Sequence, residues 1–201
     1  MDEARASAAY AEILANRRAQ LAGQLESALA GVTEFVWELG CGHGHYLTAY
    51  AEAHPTRRCL GIDIVSERIE RARRKSARAA LPNLYFLRAE ARSFLRTLPA
   101  DRRISQALIL FPDPWPKSRH HKHRILQADL LDELADHATP DCQLSFRTDF
   151  APYYEAARAT LAAHGRWALA DLPWPFEAET VFQNRAEQHY SLVALRRSAA
   201  P

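Results

Sequence analysis

The sequence has few residues of the kinds that hold small extracellular domains together. Only 3 of its 201 residues are cysteine, and no two of them form a C-x-x-C pair; they are Cys41, Cys59 and Cys142. This pattern argues against a disulfide framework or a zinc cluster and fits a reducing, cytoplasmic environment. No stretch reaches the roughly 18 consecutive apolar residues of a membrane helix, and the N-terminus has no apolar core of the signal-peptide type. We therefore expect a cytoplasmic protein with no metal site and no membrane partner.

A large excess of charge of one sign is also absent. The chain has 26 Lys and Arg against 24 Asp and Glu, so its formal net charge is only +2. Since no global excess of charge attracts nucleic acid, any site for a polyanion must be a local patch. Hydrophobic residues make up 48% and charged residues 25% of the chain, which is typical of an ordinary folded domain. We expect a single domain over residues 1–201 that begins with a helical segment at 1–30.

Strand-like and helix-like stretches alternate along most of the chain. The predicted strands cover residues 34–39, 59–64, 83–87, 104–111 and 143–146, with weaker candidates at 167–172 and 190–195. The predicted helices between them cover residues 46–53, 66–80, 91–98 and 125–137, and Ser66 is the expected N-cap of the second. Such alternation is typical of an α/β fold whose central, mainly parallel sheet has helices on both faces.

A glycine-rich turn follows the first predicted strand. The stretch ELGCGHG begins at Glu38 and contains Gly40, Gly42 and Gly44, which allow a sharp turn and close approach of the backbone to a ligand. Asp63 follows at the end of the second strand, where a carboxylate commonly binds the hydroxyls of an adenosine ribose. The G-x-G-x-G spacing differs from that of dinucleotide binders, and Glu38 suits a cationic ligand. The pattern favours S-adenosylmethionine, and a turn that serves topology alone is the alternative.

Glu90 is the next carboxylate along the predicted sheet. It follows the third strand, so a parallel arrangement brings it to the same edge as Asp63. Two roles remain open for this side chain. It contacts the adenine of the cofactor, or it stabilises the start of the helix that follows, where negative charge complements the helix dipole.

The most informative stretch, ALILFPDPWPKSRHHKHR, begins at Ala107. Its prolines exclude a helix and ladder pairing, so we expect an extended loop at the carboxyl edge of the sheet, where ligands of open α/β sheets bind. Trp115 offers a flat face to a base, and Asp113 places a carboxylate beside it. The cations that follow suit phosphates and comprise Lys117, Arg119, Lys122 and Arg124. A core anchor for Trp115 and a solvated face for the cations are the alternatives.

Three histidines lie within this basic run. No carboxylate or cysteine stands near them at the spacing of metal ligands, and their basic neighbours would repel a cation. We therefore interpret them as hydrogen-bonding groups of an RNA-binding patch; they are His120, His121 and His123.

These motifs together resemble those of the bacterial tRNA (guanine-N7)-methyltransferases, a family of class I S-adenosylmethionine-dependent enzymes with a Rossmann-like fold. The resemblance runs from about residue 34 to residue 185 and is carried most specifically by FPDPWPKSRHHKHR. It implies a single methyltransferase domain with S-adenosylmethionine as cofactor. It also implies transfer of the methyl group to N7 of a guanosine in the variable loop of tRNA.

The resemblance assigns roles to individual residues. It implies that Asp113 is catalytic and that it contacts the cofactor together with Glu38, Asp63 and Glu90. Lys117, and Asp149 within RTDFAPYY, resemble substrate contacts. The stretch TVFQ corresponds to a T-x-F-E motif of further substrate contacts and comprises Thr180, Val181, Phe182 and Gln183. The implied RNA-interacting segment comprises Arg119, His120, His121, Lys122, His123 and Arg124.

The chain departs from the family pattern at a few positions. Gln183 replaces the usual glutamate, His123 stands where an arginine is common, and Glu90 stands where aspartate is frequent. Loss of the carboxylate at Gln183 removes a charged acceptor for guanine hydrogens. This loss should weaken the discrimination between bases by about 1–3 kcal/mol. Two alternatives therefore stay open, a methyltransferase of the same fold with another acceptor and a non-catalytic RNA-binding paralogue. The expected partner is tRNA, and the expected assembly is a monomer or a homodimer.

Overall fold

The structure, a computed structural model, describes residues 2–178 and 188–198. Helices and strands alternate over most of this range. In chain order the elements are α1 (Asp2–Ala28), β1 (Glu34–Leu39), α2 (His45–Ala53), β2 (Cys59–Asp63), α3 (Ser66–Ala79), β3 (Leu84–Arg88), α4 (Ala91–Thr97), β4 (Arg103–Leu110), a 3-10 helix (Ser118–His123), α5 (Ala128–His137), β5 (Ala138–Thr148), α6 (Ala151–Ala163), β6 (Trp167–Leu169) and β7 (Tyr190–Arg196).

One sheet of seven strands organises these elements in the order β3-β2-β1-β4-β5-β7-β6. The strands from β3 to β5 are parallel, and β7 pairs antiparallel with both β5 and β6. The predicted α/β class with a mainly parallel sheet is therefore confirmed. Because the strand order reverses between β1 and β4, the loops after these two strands border the crevice in which open α/β sheets bind ligands.

Helices cover both faces of the sheet and form two separate apolar cores. Buried side chains of α1, α4, α5 and α6 pack on one face, where the rings of Trp37 and Phe94 stack with centroids 5.0 Å apart. Buried side chains of α2 and α3 pack on the other face. None of the described helices has the length and apolarity needed to cross a bilayer.

Several local features differ from the sequence prediction. The extended loop expected after β4 is wrong over Ser118–His123, which form a 3-10 helix beyond the last proline. Ser66 lies inside α3, and the N-cap is Val65, which makes no side-chain cap; the backbone N–H of Val65 donates instead to Asp63 Oδ1 at 2.8 Å. Strand β5 begins at Ala138, earlier than predicted, because its first residues pair with β4 across a register shift next to Ile104. Polar residues in that irregular stretch hide the strand from pattern analysis.

Helix α6 has no counterpart in the sequence prediction. Its sequence, APYYEAARATLAA, is rich in alanine, so apolar residues occur around the whole helix and blur the periodic stripe. The buried positions nevertheless recur every fourth residue and comprise Tyr153, Ala157 and Leu161. Tertiary packing against the sheet therefore selects one face of this helix.

Gly44 is the glycine of the turn whose replacement we expect to cost most stability. Its φ is +69°, and a Cβ atom there would lie 2.5 Å from Phe86 Cζ and 2.9 Å from Ala72 Cβ. Gly42 also has a positive φ, but a Cβ atom there meets nothing within 4 Å. Gly42→Ala should therefore cost only left-handed strain of about 1 kcal/mol. Gly44→Ala should add overpacking of about 1–3 kcal/mol.

Urea unfolding of the two alanine variants measures this difference. We expect a clearly lower unfolding midpoint for Gly44→Ala than for its matched control, Gly42→Ala, with similar denaturant slopes. Equal midpoints would mean that the close approach of Phe86 to Gly44 does not constrain the turn.

Candidate active site

The glycine turn joins β1 to α2 and is fixed to the end of β2. The backbone N–H of Gly40 donates to the carbonyl of Ile62 at 2.9 Å, and the N–H of Gly42 donates to Asp63 Oδ2 at 3.1 Å. The second oxygen of Asp63 accepts from Val65, and the residue is only 5% exposed. Asp63 therefore holds the turn in place, in addition to the ligand contact predicted for it.

Glu38 lies on β1 directly before the turn and is 3% exposed. Its Oε2 atom makes no hydrogen bond in the part of the chain that the structure describes. Burial and the negative charge of Asp63 raise the pKa of the Glu38 carboxyl to about 8, although a backbone hydrogen bond from Leu47 acts in the opposite direction. A buried carboxyl of this kind is a group that a cationic ligand stabilises.

The turn fits S-adenosylmethionine on these observations. A Cβ atom at Gly40 or Gly42 would meet nothing within 4 Å, so the backbone is open to close approach at both positions. The carboxyl of Glu38 has an unused acceptor oxygen for a cationic group. The residues present therefore suit a ligand that carries positive charge and lies against the backbone of the turn.

Glu90 caps helix α4. Its carboxylate accepts hydrogen bonds from the backbone N–H groups of Arg92, at 3.1 Å, and Ser93, at 2.9 Å. Of the two roles left open by the sequence, the structure shows the capping role. A contact with adenine stays a prediction, and it would have to coexist with these two bonds.

The loop after β4 holds two bulky residues in the left-handed region, one on each side of Asp113. The φ angles are +47° at Phe111 and +44° at Trp115, and such residues rarely adopt positive values. The ring of Trp115 packs against His120 and His123, with centroids 5.8 Å and 5.1 Å away. Strain of this type costs about 1–3 kcal/mol per residue and clusters at functional sites. Asp113 itself is exposed to solvent.

Arg124 occupies a different place from the one expected of an RNA contact. It is only 4% exposed, and its Nε donates to the carbonyl of Pro114 at 2.9 Å. Its guanidinium lies over the ring of Tyr153, 4.8 Å from the centroid. Because a buried guanidinium does not reach an RNA phosphate, the geometry gives Arg124 a structural role, which is to hold the carbonyl next to Asp113.

The other basic residues of the run remain accessible. Lys117, Arg119 and Lys122 are exposed, and none of them pairs with a carboxylate within residues 2–178 and 188–198. His120 and His121 are half-buried and His123 is exposed. The described residues contain no group of three or more His, Cys, Asp or Glu side chains arranged to hold a metal ion.

Asp149 lies beside the Asp113 loop. It is exposed and directly follows β5, whose end pairs with the end of β4 through Arg147 and Leu110. The backbone N–H of Phe111 donates to the carbonyl of Arg147 at 2.7 Å. The predicted substrate contact and the predicted catalytic residue therefore follow neighbouring strand ends. The predicted substrate-contacting stretch at 180–183 lies outside the described residues.

A segment that the sequence prediction does not single out also reaches this edge. We call residues 174–178 the strap. The Arg147 guanidinium lies 3.9 Å from the ring centroid of Trp174 and forms two 2.9 Å hydrogen bonds with Glu177. On the side of α2, the Tyr46 hydroxyl donates to the carbonyl of Phe176 at 2.9 Å. Partners so far apart in sequence leave no local signal.

Lys122 and Arg124 should respond differently to replacement by Met. Lys122→Met removes an exposed charge, so the slope of log affinity for RNA against log salt should fall by about one. Arg124→Met should leave that slope unchanged and lower the unfolding midpoint, because it removes the bond to Pro114. Titration of a tRNA transcript at several salt concentrations, together with urea unfolding, measures both effects. An equal loss of slope in the two variants would contradict the buried position of Arg124.

Comparison with known proteins gives an independent line of evidence. Residues 33–194 match a family model described as "Putative methyltransferase". The chain is 36% identical over 126 residues, 63% of its length and 56% of the relative, to the "tRNA (guanine-N(7)-)-methyltransferase" of Leifsonia xyli subsp. xyli. It is 35% identical over 158 residues, 76% of its length and 61% of the relative, to the protein of the same name from Treponema pallidum subsp. pallidum. The chain thus spans less than two thirds of these relatives.

Solved structures show the same architecture. The 16S rRNA (adenine(1408)-N(1))-methyltransferase of Catenulisporales acidiphilia superimposes with a TM-score of 0.58 at 20% identity, covering 90% of this chain and 93% of that one. At this identity the likeness concerns the fold alone.

Proposed function

The chain belongs to this methyltransferase family, and on that premise we propose that it methylates N7 of a guanosine in the variable loop of tRNA. The observation that carries the proposal is the arrangement of two features at one edge of the sheet. The glycine turn with buried Glu38 follows β1, and the strained loop that presents Asp113 follows β4, the strand paired with β1. The names of the relatives from Leifsonia and Treponema support the same acceptor.

Methyltransferases of this fold use S-adenosylmethionine, which supplies a methyl group on a positively charged sulfonium. In the proposed site the backbone of the glycine turn lies against this ligand, and the Glu38 carboxylate balances its positive charge. Asp63, at the end of β2, accepts from the ribose hydroxyls through its remaining lone pairs. Glu90 contacts the adenine edge.

Guanine N7 carries a free lone pair, so it would accept the methyl group without prior removal of a proton. The carbon–sulfur bond of the sulfonium would break as the nitrogen–carbon bond forms, and its electron pair would leave with the neutral thioether. The protein therefore acts mainly by aligning the two reacting atoms and by placing charge where it develops. Asp113 orients the guanine and balances the positive charge that builds on the methylated base. Asp149 holds the base edge, and Lys117 and Arg119 hold nearby phosphates.

The basic run extends this contact along the RNA. The exposed Lys122 adds charge to this surface, and the neighbouring histidines add hydrogen bonds, which suits single-stranded loop nucleotides. The proposed setting is the cytoplasm, and the cysteines, which are free thiols in the structure, are compatible with it. The proposed working unit is a monomer or a homodimer.

The experiment that tests this proposal is transfer of labelled methyl groups from S-adenosylmethionine to unmodified tRNA transcripts, followed by nucleoside analysis and by chain cleavage at 7-methylguanosine. We expect label only in 7-methylguanosine, from a single position in the variable loop. Label in another nucleoside would favour a same-fold enzyme with a different acceptor. Tight tRNA binding without any transfer would favour a non-catalytic paralogue, and either result would overturn the proposal.

A further inference from the structure

Arg147 ends up almost completely buried although it carries a charge. The side chain is 4% exposed, whereas its partner Glu177 is 61% exposed. The two terminal nitrogens of Arg147 each donate to one oxygen of Glu177 at 2.9 Å, and its Nε donates to Ser191 Oγ at 2.8 Å. Its planar guanidinium lies over the ring of Trp174. These contacts fix the direction of the strap relative to the end of β5.

The strap is also fixed to the helix that follows the glycine turn. The Tyr46 hydroxyl donates to the carbonyl of Phe176, and the Phe176 ring lies edge-on to the rings of Tyr46 and Tyr50, with centroids 5.9 Å and 5.5 Å away. Burial and the charge of Glu38 raise the pKa of the Tyr46 hydroxyl, whereas the Arg147 charge opposes the rise. The strap thus connects the cofactor side of the proposed site to the acceptor side.

Stability alone does not account for a buried arginine at this position. Taking a guanidinium out of water is costly, and an apolar side chain of similar size often stabilises a buried site equally well or better. A bidentate pair stacked on an aromatic ring instead specifies geometry, because the planar fork accepts only one arrangement. Here the pair fixes the position of the strap relative to the end of β5, on the acceptor side of the proposed site.

We infer that Arg147 is a positioning residue for the acceptor base. It precedes Asp149, a predicted substrate contact, by two residues. By clamping the strap against the end of β5, Arg147 sets the position of the strap relative to Asp149. The inference rests on the proposed function for the identity of the acceptor. Its structural part, the clamp itself, rests only on described residues.

The test uses two variants that weaken the clamp in different ways. Arg147→Lys keeps the charge but lacks the planar fork, and Glu177→Gln changes only an exposed partner. Since a misplacement of about 1 Å costs about 100-fold in rate, we expect kcat/KM for tRNA to fall about 10- to 100-fold in Arg147→Lys. Affinity for S-adenosylmethionine should change less than about twofold. The double variant should lose little more kcat/KM than Arg147→Lys alone, because both changes break the same contact.

The matched control is the exposed ion pair of Arg158 and Glu155 on α6, in which Arg158 Nη2 lies 3.0 Å from Glu155 Oε2. Arg158→Lys and Glu155→Gln should leave all parameters unchanged. Amide hydrogen exchange over residues 170–178 gives a readout that needs no catalysis, and it should quicken in the clamp variants but not in the controls. A purely structural role would lower the unfolding midpoint and leave kcat/KM unchanged at temperatures where the variant is folded.

The outcomes separate this inference from the proposed function. If the wild-type protein methylates tRNA and the clamp variants keep its kcat/KM, the positioning role is overturned while the function stands. If the wild-type protein binds tRNA without methylating it, the proposed function fails. The role of Arg147 is then decided by tRNA affinity, since unchanged affinity and unchanged exchange in Arg147→Lys would overturn it.

Discussion

Asp113→Ala is expected to abolish detectable methyl transfer, a loss of at least about 1000-fold in kcat, while affinity for S-adenosylmethionine stays nearly intact. The reason is the position of Asp113. Among the acids at this edge of the sheet, it is the one that lies on the strained loop between Phe111 and Trp115. Its charge is needed chiefly in the transition state, when the guanine becomes cationic. The buried acids Glu38 and Asp63, for which we propose cofactor contacts, are unchanged in this variant.

Two further variants show whether the loss of methyl transfer comes from the charge of Asp113 or from the removal of any exposed acid. Asp113→Asn keeps the shape of the side chain and removes its charge, so it should be nearly as inactive as Asp113→Ala. Asp141→Ala removes an exposed acid on β5 that is remote from the proposed chemistry, and it should be fully active. Single-turnover rates and equilibrium titration of the cofactor measure the two quantities. An Asp113→Ala enzyme that retains a tenth of the wild-type rate would remove Asp113 from the catalytic role.

The second large effect concerns the pH dependence of cofactor binding. In the free protein, burial and the charge of Asp63 raise the pKa of Glu38 to about 8, so this carboxyl is mostly protonated at lower pH. A cationic ligand stabilises the ionised form and lowers that pKa. Affinity for S-adenosylmethionine should therefore rise with pH, by up to about tenfold per unit, between about pH 6 and about pH 8.

The same linkage has the opposite sign for the stability of the ligand-free protein. Because the folded-state pKa lies above the ordinary value of 4.5 for a glutamate, the unfolded chain loses this proton first as pH rises. The contribution of Glu38 to the free energy of unfolding should thus decrease from its ordinary pKa up to about 8. Added cofactor should reverse that decrease, because it binds only the folded protein.

The control for the pH effect is Glu38→Gln, which keeps the shape and cannot ionise. Calorimetric titration at several pH values should show weak binding without the steep rise of the wild-type protein. Any dependence that comes from the amino group of the ligand itself remains in the variant and is subtracted. Parallel curves for the two proteins would show that Glu38 does not ionise on binding.

Much of the fold follows from patterns that are local in sequence. The predicted bounds of β1 agree with those observed, Glu34–Leu39, because an apolar run ending at glycines has few alternative structures. The family suggested by FPDPWPKSRHHKHR is confirmed by the match over residues 33–194. Helix α6 escapes prediction because its alanines carry no clear periodicity, and only packing against the sheet selects its buried face.

The site was predictable where one motif supplies both the backbone and the chemistry. The glycine turn and its partner Asp63 belong to this class, since adjacent parallel strands bring them together. Arg124 does not belong to this class, because its burial depends on Tyr153 in a helix farther along the chain. The pairing of Arg147 with Glu177 is likewise invisible in a sequence, where an arginine before a threonine looks like any surface cation.

The most direct test of the central claim replaces the attacking atom itself. A tRNA transcript with 7-deazaguanosine at the variable-loop position has a C–H group in place of N7 and is otherwise nearly unchanged. We predict that the protein binds this transcript as tightly as the guanosine form and transfers no methyl group to it, while guanosine at the same position is methylated. Methyl transfer to the 7-deaza transcript at the wild-type rate would contradict N7 as the acceptor.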